Sequence, residues 1–540
     1  MALKRKSALN AAEPDIVAAL TAVAGAEALR TSEAERTFFS TDIAGRGETA
    51  DAVVRVSDTD TLAQVVATAT RMGWIVVPRG GGFSYTGGYT PETRRSVIVD
   101  LRGLDRVVEI NARDMYVVVE AGCTWQNLYE RLRAAGFRTP YFGPMSGANA
   151  TVGGALSQGS FFLGSNQYGS LADSVLALEI VLADGTVMRT GSWGSSEGAA
   201  PFFRQYGPDL TGLFLNDTGA MGFKSRAVLR LIPFPTHQAY ASFAFTTHQA
   251  ALAAVSAIGR TGLAAECYCW DPFFVRLMAA NASTGLREDL SLLLNVVKGG
   301  SNLLDGLIGA VRIAMAGRAV FRGDTWLMHL AIDDVSAAGA AEKLKLLRAI
   351  AGKAGGREVA PTAPRTLRGT PFTDFNTAER RLPRRSLPVH GVCSHSAAAQ
   401  VADEVYACLA ANRTEMERLG VNCGTIFLAV GGQAVTVEPL LSWDDAEHFL
   451  HNRVEETSDL AALATYDDRP EATRLAFELR QAFKAIFRRH GCAHVQIGRA
   501  YPWAETRDPA VLRLIEGFKD AVDPRRVVNR GSLGFGGPAH

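Results

Sequence analysis

Pro78-Arg79-Gly80-Gly81-Gly82-Phe83-Ser84-Tyr85-Thr86-Gly87-Gly88 follows directly on the apolar run 74–77. The run predicts a buried strand, and the glycines predict a loop whose backbone N–H groups no side chain screens. Such a loop can bind phosphate oxygens, although a tight turn between strands uses glycine in the same way. Further glycine clusters lie at 143–157 and 219–223. Three such loops in one predicted domain favour a long ligand that contains a pyrophosphate.

The composition limits the classes of function. The chain has 540 residues, 47% of them hydrophobic, and a formal net charge of +1. This length predicts two or more domains, and the balanced charge gives no reason to expect nucleic acid as a partner. No apolar stretch is long enough to span a membrane. The nearest, Leu303 to Phe321, is interrupted by charges and predicts either an amphipathic surface helix or a peripheral membrane contact.

The cysteines and the N-terminus favour an intracellular protein. The seven cysteines show no metal or redox spacing, which predicts reduced thiols. The basic start of the chain is not followed by the apolar run of a secretory signal. We therefore expect a cytoplasmic location.

Changes in sequence pattern divide the chain into four segments. Residues 1–45 predict a helical segment, and in 46–235 short strands and helices alternate. Residues 236–490 are richer in alanine and in longer helical patterns. Glycine-dense loops return in 491–540, which we expect to pack back on the first domain. The mixture of elements predicts an α+β protein.

Two common nucleotide-binding motifs are missing. A Rossmann domain would open with G-x-G-x-x-G between its first strand and helix, and this domain does not. A P-loop needs Gly-Lys followed by Ser or Thr, which the chain lacks. The glycine loops therefore need a different explanation.

Six segments in order resemble one known family, the FAD-binding type-4 (PCMH-type) flavoproteins of the vanillyl-alcohol oxidase and p-cresol methylhydroxylase superfamily. This superfamily also holds glycolate- and D-lactate-oxidising members. The resembling segments cover 78–84, 119–128, 151–154, 207–223, 229–233 and 523–533. The resemblance implies an FAD-binding domain of two subdomains at 46–235, an α+β cap or substrate domain at 236–490, and a C-terminal segment that returns to the flavin.

The same resemblance implies which residues contact FAD. On the glycine loop they are Pro78, Arg79, Gly80, Gly81, Gly82, Phe83, Ser84, Gly87 and Gly88. Elsewhere they are Pro144, Ser146, Thr151, Gly153, Gly154, Ser157, Tyr168, Gly169, Gly222, Phe223 and Asn529.

Departures from the family pattern limit how FAD is expected to be attached and which chemistry is expected. Phe83 stands where some relatives attach FAD through a histidine, and Asn149 or its neighbours stand where others use a cysteine. His390 and His395 remain candidates for attachment through the cap, and we expect non-covalent FAD. Ser170 replaces the aspartate of phenol-oxidising members, and the histidine-rich metal run of D-lactate dehydrogenases is missing, so we expect no catalytic metal.

The segment from His494 to Trp503 is the predicted centre of the chemistry, since the family's chain re-enters the flavin domain there. Arg499 would bind a carboxylate or stabilise charge on reduced flavin, Tyr501 would bind or deprotonate the substrate oxygen, and His494 would act as a base. On one regular strand, His494 and Arg499 would point to opposite faces. The alternatives are a surface ion pair for Arg499 and plain packing for Tyr501 and His494.

The combined hypothesis is an FAD-dependent oxidoreductase that takes a hydride from a CH–OH substrate such as a 2-hydroxy acid, with dioxygen or a redox protein as acceptor. One alternative is a 4-alkylphenol or aromatic-alcohol oxidase that binds a phenolate through Tyr501 and Tyr168. Another is a subunit that only relays electrons. The arginine-rich stretch 380–385 predicts an acid-recognition rim, a partner surface or a solvated loop. The sequence is also compatible with a homodimer.

Overall fold

The computed structural model describes residues 15–281, 324–372, 385–446 and 467–536. The stretch from Leu303 to Phe321 and three of the clustered arginines, Arg380, Arg381 and Arg384, lie outside these ranges. None of the helices in the described ranges has the length and apolar composition needed to cross a membrane. The described α-helices are Ile16–Ala24, Glu33–Phe39, Thr59–Arg71, Trp125–Ala134, Val152–Gln158, Ser165–Tyr168, Leu210–Leu213, His248–Gly259, Pro272–Asn281, Ala337–Lys353, Thr362–Gly369, Ala398–Ala411, Arg413–Leu419, Pro470–Arg489 and Pro509–Val522.

The glycine loop leaves the edge of a small, largely parallel sheet. Its strands are β1 (Leu29–Arg30), β2 (Ala52–Arg55), β3 (Ile75–Arg79) and β4 (Ser96–Asp100), in the order β1-β2-β4-β3. β2, β4 and β3 run parallel. Asp58 caps the helix Thr59–Arg71 between β2 and β3, because its carboxylate accepts the Thr61 N–H at 2.7 Å. The predicted strand before the loop is β3, which is buried throughout.

A second, antiparallel sheet completes the first half of the chain. Its strands are β5 (Val107–Asn111), β6 (Tyr116–Glu120), β8 (Val175–Val181), β9 (Val187–Arg189) and β10 (Phe223–Arg230), in the order β5-β6-β10-β8-β9. A two-stranded pair, β7 (Phe137–Arg138) and β11 (Ile232–Pro233), lies beside it. Asp184 and Gly185, the latter at φ +87°, form the turn between β8 and β9.

The second half of the chain is built on one eight-stranded antiparallel sheet. Its strands are β12 (His237–Phe245), β13 (Glu266–Trp270), β14 (Trp326–Asp334), β15 (Arg357–Val359), β16 (Arg385–Pro388), β17 (Gly391–Ser394), β18 (Asn422–Val430) and β19 (Ala434–Trp443). The helices His248–Gly259, Ala337–Lys353, Ala398–Ala411 and Pro470–Arg489 pack against it.

A buried ionic network joins the two halves. Arg138 of β7 contacts Asp333 of β14 at 2.7 Å, and Arg368 contacts both Asp333 at 3.0 Å and Glu266 at 2.7 Å. The other carboxylate oxygen of Glu266 accepts the Gly164 N–H at 2.9 Å. Two cations and two anions thus share one dry interface, where removing either sign would leave a buried charge without a partner.

The C-terminal segment returns to the first sheet. Val528 forms a parallel bridge with Val76 of β3. The Asn529 amide donates to the carbonyls of Gly88 and Thr218 at 2.7 and 2.6 Å. The end of the chain therefore closes over the exit of the glycine loop.

Candidate active site

The glycine loop, the 144–162 segment, the second-half sheet and the C-terminal segment line one open groove. It encloses about 1380 Å³ including its mouth. Ile426 and Leu428 lie two residues apart on β18 and therefore on one face, which forms the apolar wall opposite Phe161 and Phe162.

The glycine loop has the backbone of an anion site. Within the described chain, the N–H groups of Gly80, Gly81 and Gly82 donate to no protein acceptor. Gly82 has φ +83°, and a Cβ there would meet the Arg79 guanidinium. A Cβ on Gly81 would meet the Asn149 carbonyl oxygen, and one on Gly80 the Thr151 hydroxyl. The loop is therefore packed against residues 149–151 with its amides free, an arrangement that fits the phosphates of a dinucleotide.

About half of the predicted cofactor contacts line the groove: Arg79, Gly80, Gly81, Gly82, Phe83, Ser84, Pro144, Ser146, Thr151 and Gly154. The others lie outside its lining and support the loops, and their contact with the cofactor stays a prediction. They are Pro78, Gly87, Gly88, Gly153, Ser157, Tyr168, Gly169, Gly222, Phe223 and Asn529. For example, Gly153 donates to the Ala121 carbonyl at 2.7 Å, and Gly222 packs on Ile180.

A polar cluster lies in the otherwise apolar part of the groove. The His390 Nε2 lies 3.2 Å from a Glu438 carboxylate oxygen and 3.3 Å from the Tyr85 hydroxyl. Gln496 hydrogen-bonds to Tyr85, and neither polar atom of the buried Gln158 amide has a partner in the described chain. His390 is 3% exposed and its Nδ1 also has no partner there. Unsatisfied buried polar atoms in a groove indicate a ligand that completes their hydrogen bonds.

The geometry favours one tautomer of His390. If Nε2 carries the hydrogen, it donates to Glu438 and leaves Nδ1 as the acceptor. In the opposite tautomer, a buried Nδ1–H would have no acceptor among the described residues. The Glu438 carboxylate therefore holds the ring with a free basic nitrogen in the groove.

Burial keeps the nearby phenols neutral. Burial raises the pKa of Tyr85 well above its ordinary value, and the Glu438 charge raises it further. Burial also raises the pKa of Tyr501 to about 12. Both hydroxyls are consequently hydrogen-bond donors or acceptors near neutral pH, not phenolate bases.

Arg499 does not have the predicted position. Its guanidinium donates to the carbonyls of Gly87, Thr90 and Arg530, each at 2.6 Å, and its Nε lies 3.3 Å from Glu92. These partners use its donors, and the side chain is absent from the lining of the groove. Arg499 therefore ties the C-terminal segment to the glycine loop, and its binding of a substrate carboxylate stays a prediction.

Tyr501 and His494 lie behind His390 and do not line the groove. Their rings stack at 4.2 Å. The Tyr501 hydroxyl accepts the His390 N–H at 2.8 Å, and the His494 Nδ1 lies 2.7 Å from the His390 carbonyl oxygen. Burial lowers the pKa of His494, so its ring is mainly neutral. In this structure Tyr501 and His494 hold the main chain of His390, and their catalytic roles stay predictions.

The segment 494–501 is not a regular strand. This segment consists of bends and turns, with Gln496 at φ +53° and Gly498 at φ +55°. These two left-handed residues break the alternation of side chains, so His494 and Tyr501 stack together. Gln496, not His494, reaches the groove.

The two cap histidines have different surroundings. Both ring nitrogens of His395 are used, by Ser256 at 2.9 Å and by the Gly432 carbonyl at 3.0 Å. His395 is also outside the lining of the groove, whereas His390 is part of it. Of the two candidates for cofactor attachment, only His390 is placed near the site.

The groove residues that sequence reasoning missed include Tyr85, Gln158, Glu438, Gln496 and Asp42. Tyr85 lies inside the glycine loop and could have been found there. Glu438 has no local signal, since its role depends on the pairing of β19 with β16 and β17. Asp42 accepts the N–H groups of Ala44, Gly45 and Gly87, and burial raises its pKa to about 6.

Solved structures define the class of fold. The structure of p-cresol methylhydroxylase with substrate bound matches 96% of this chain and 96% of its own chain, with a TM-score of 0.72 and 18% identity. The fold is therefore that of the PCMH-type flavoproteins.

Sequence comparisons place the chain within that class. The model of an FAD binding domain matches residues 50–191. Glycolate oxidase subunit GlcD of Bacillus subtilis (strain 168) is 28% identical over 41% of this chain and 45% of its own length. Alkyldihydroxyacetonephosphate synthase of Trypanosoma brucei brucei is 30% identical over 39% of this chain and 34% of its own length. The chain thus spans less than half of each of these relatives. The chain therefore contains an FAD binding domain within a PCMH-type fold, and FAD is its cofactor.

Proposed function

We propose that this protein is an FAD-dependent oxidoreductase that oxidises a small molecule at a carbon bearing a hydroxyl group. The observation that carries the proposal is the pair of His390 and Glu438, which places a basic nitrogen in an apolar groove beside the glycine loop. The glycolate oxidase relative supports a hydroxyl donor. The amides of Gly80, Gly81 and Gly82 would hold the cofactor's phosphates.

Bound FAD supplies an acceptor for the hydride of the substrate carbon. The chain's own residues handle the proton. The His390 Nδ1 takes the hydroxyl proton, and the Glu438 carboxylate stabilises the imidazolium that forms. The Tyr85 hydroxyl and the Gln158 amide orient the substrate oxygen. Dioxygen or a redox protein then accepts the electrons.

The lining favours a substrate with an apolar body. Phe161, Phe162, Ile426 and Leu428 offer no charge. In the described part of the groove, the one lining arginine is Arg79, whose guanidinium donates to the Thr41 carbonyl at 2.8 Å. Arg79 is therefore the one cationic side chain of the described lining, apart from His390, that could pair with the carboxylate of a small 2-hydroxy acid.

A 4-alkylphenol is the second candidate substrate. The apolar wall and the neutral hydroxyl of Tyr85 favour it, and the p-cresol methylhydroxylase fold is compatible with it. The missing acid at Ser170 opposes it.

We also propose that FAD is bound without a covalent link. Phe83 cannot form a bond to the flavin, and both ring nitrogens of His395 are already hydrogen-bonded. The Nε2 of His390 is held by Glu438, which leaves only its Nδ1 as a point of attachment.

The test follows the oxidised flavin band of the FAD-loaded protein without oxygen. Benzylic and long-chain alcohols, 2-hydroxy acids and 4-alkylphenols are added in turn. We expect an apolar alcohol to bleach the band, whereas bleaching by phenols alone would favour the second candidate.

Matched variants test the proposed base. Because a positioned general base contributes about 10²–10⁴-fold, His390→Gln should slow bleaching by that factor. His395→Gln, the same change outside the groove, should not. If no hydroxyl compound bleaches the flavin, or if both variants react alike, the proposal fails.

A further inference from the structure

Two cysteines face each other across a short strand pairing next to His390. Cys393 of β17 and Cys492 are 99 residues apart in sequence, yet their sulfur atoms lie 3.4 Å apart. They are two of seven cysteines, none of which forms a disulfide in the structure.

The pairing puts the two residues in register. Val392 and Ala493 exchange both backbone hydrogen bonds, each at 2.9 Å. Their neighbours, Cys393 and Cys492, consequently form the adjacent antiparallel pair without hydrogen bonds, where Cα atoms lie about 4.5 Å apart. Disulfides span Cα distances of about 4.4–6.8 Å. The backbone therefore needs no rearrangement, and the sulfur atoms must approach by about 1.4 Å to reach bonding distance.

The two thiols have unequal surroundings. Cys393 is 1% exposed, whereas Cys492 is half-buried and reachable from solvent. The contact between the two sulfur atoms lowers the pKa of Cys492 and raises the pKa of Cys393. A half-buried thiol of lowered pKa next to a second, buried thiol is the arrangement of a cysteine pair that oxidises selectively.

We propose that Cys393 and Cys492 form a dithiol that hydrogen peroxide converts reversibly to a disulfide. The Cys492 thiolate attacks one peroxide oxygen, breaks the O–O bond and becomes a sulfenic acid while one water leaves. The Cys393 sulfur then attacks the Cys492 sulfur, the S–O bond breaks and a second water leaves. Two thiols lose two protons and two electrons, and one peroxide gains them.

The disulfide would restrict the movement of the two segments on either side of the His390 main chain. Cys393 follows His390 by three residues, and Cys492 precedes His494 by two. The disulfide would thus fasten β17, the strand that begins directly after His390, to the segment whose His494 contacts the His390 carbonyl. Added peroxide drives the test, so the outcome does not depend on which substrate the enzyme oxidises.

The experiment treats the full-length, FAD-loaded protein with a few equivalents of hydrogen peroxide. Free thiols are counted in denaturant, and peptides are mapped by mass spectrometry without reduction. We expect a loss of two of the seven thiols and a peptide pair joining Cys393 to Cys492, with two hydrogens fewer than its parts. A thiol reductant should restore all seven.

Single substitutions give the controls. Cys492→Ser and Cys393→Ala should each prevent the cross-link, and having both keeps the test valid if one variant does not fold. Cys408→Ser, at another half-buried cysteine, should leave it intact. The proposal is overturned if peroxide leaves the pair unlinked, oxidises Cys492 to sulfinic acid alone, or joins other cysteines equally well.

Discussion

Replacing Arg499 separates a structural role from a catalytic one. Its guanidinium donates three hydrogen bonds of 2.6 Å to the carbonyls of Gly87, Thr90 and Arg530. Each hydrogen bond to a charged group is worth about 1.5–3 kcal/mol, but burying the cation opposes this gain, since the side chain is 17% exposed. Breaking a buried charged contact costs about 3–5 kcal/mol, and we expect Arg499→Met to lose that much unfolding free energy.

The same variant should affect the cofactor more than the chemistry. Gly87 and Thr90 close the end of the glycine loop, so FAD affinity should fall by about tenfold or more, which corresponds to 1.4 kcal/mol. Once saturated with FAD, the variant should be reduced by substrate at nearly the rate of the unmodified protein. Arg499→Lys keeps the charge but not the planar fork, so its FAD affinity should lie between that of Arg499→Met and that of the unmodified protein.

The assays are urea unfolding, FAD titration of the apoprotein and anaerobic reduction by substrate. Arg513→Met, at an exposed arginine of the helix Pro509–Val522, is the control. The reasoning is refuted if Arg499→Met retains its stability and FAD affinity but is reduced over a hundredfold more slowly. That result would restore Arg499 as a substrate ligand.

Three further outcomes follow from the structure. Gly81→Ala puts a Cβ against the Asn149 carbonyl and should weaken FAD binding at least tenfold. Gly45→Ala places its Cβ in open space and should leave FAD binding unchanged. Equal FAD affinities of the two variants in a titration would contradict this prediction. Burial raises the pKa of Asp271 to about 7, above its unfolded value, so the folded state binds an extra proton between about pH 4 and 7 and loses stability as the pH rises through that window. Asp271→Asn lacks this loss, so the difference in Tm between the variant and the unmodified protein should shift in favour of the variant from about pH 4 to 7. A Tm difference that stays constant over this range would contradict the prediction. Acid precipitation should release the flavin into the supernatant, and flavin that stays with the protein but is lost in His390→Ala would show a covalent link through that histidine.

Local chemistry explains what the sequence could predict. The glycine loop, the Asp58 cap and the β8–β9 turn depend on residues a few positions apart, and their conformational preferences appear directly in the sequence. The order of six such segments was sufficient to predict the fold, because each loop approaches the cofactor through backbone groups.

The polar cluster could not be predicted because it depends on distant pairings. Glu438 reaches His390 because β16 and β17, on either side of His390, both pair with β19. No spacing in the chain encodes that contact. The side-chain directions in 494–501 could not be predicted for a local reason: Gln496 takes a left-handed conformation that only glycine and a few short polar residues favour. An alternation argument assumes a regular strand, and one such residue invalidates it.

His390 shows why the site exists only in the assembled molecule. Its main-chain N–H and carbonyl are held by Tyr501 and His494 from the C-terminal segment, its ring by Glu438 of the cap sheet, and its Nε2 also lies near Tyr85 of the glycine loop. The C-terminal segment, the cap sheet and the glycine loop thus each supply a different contact to His390. A substitution of Tyr501 or His494 should therefore change the orientation of the His390 ring. A substitution of Glu438 should change which nitrogen of that ring carries the proton. This difference separates the residues that hold the His390 ring in place from the one that sets its tautomer.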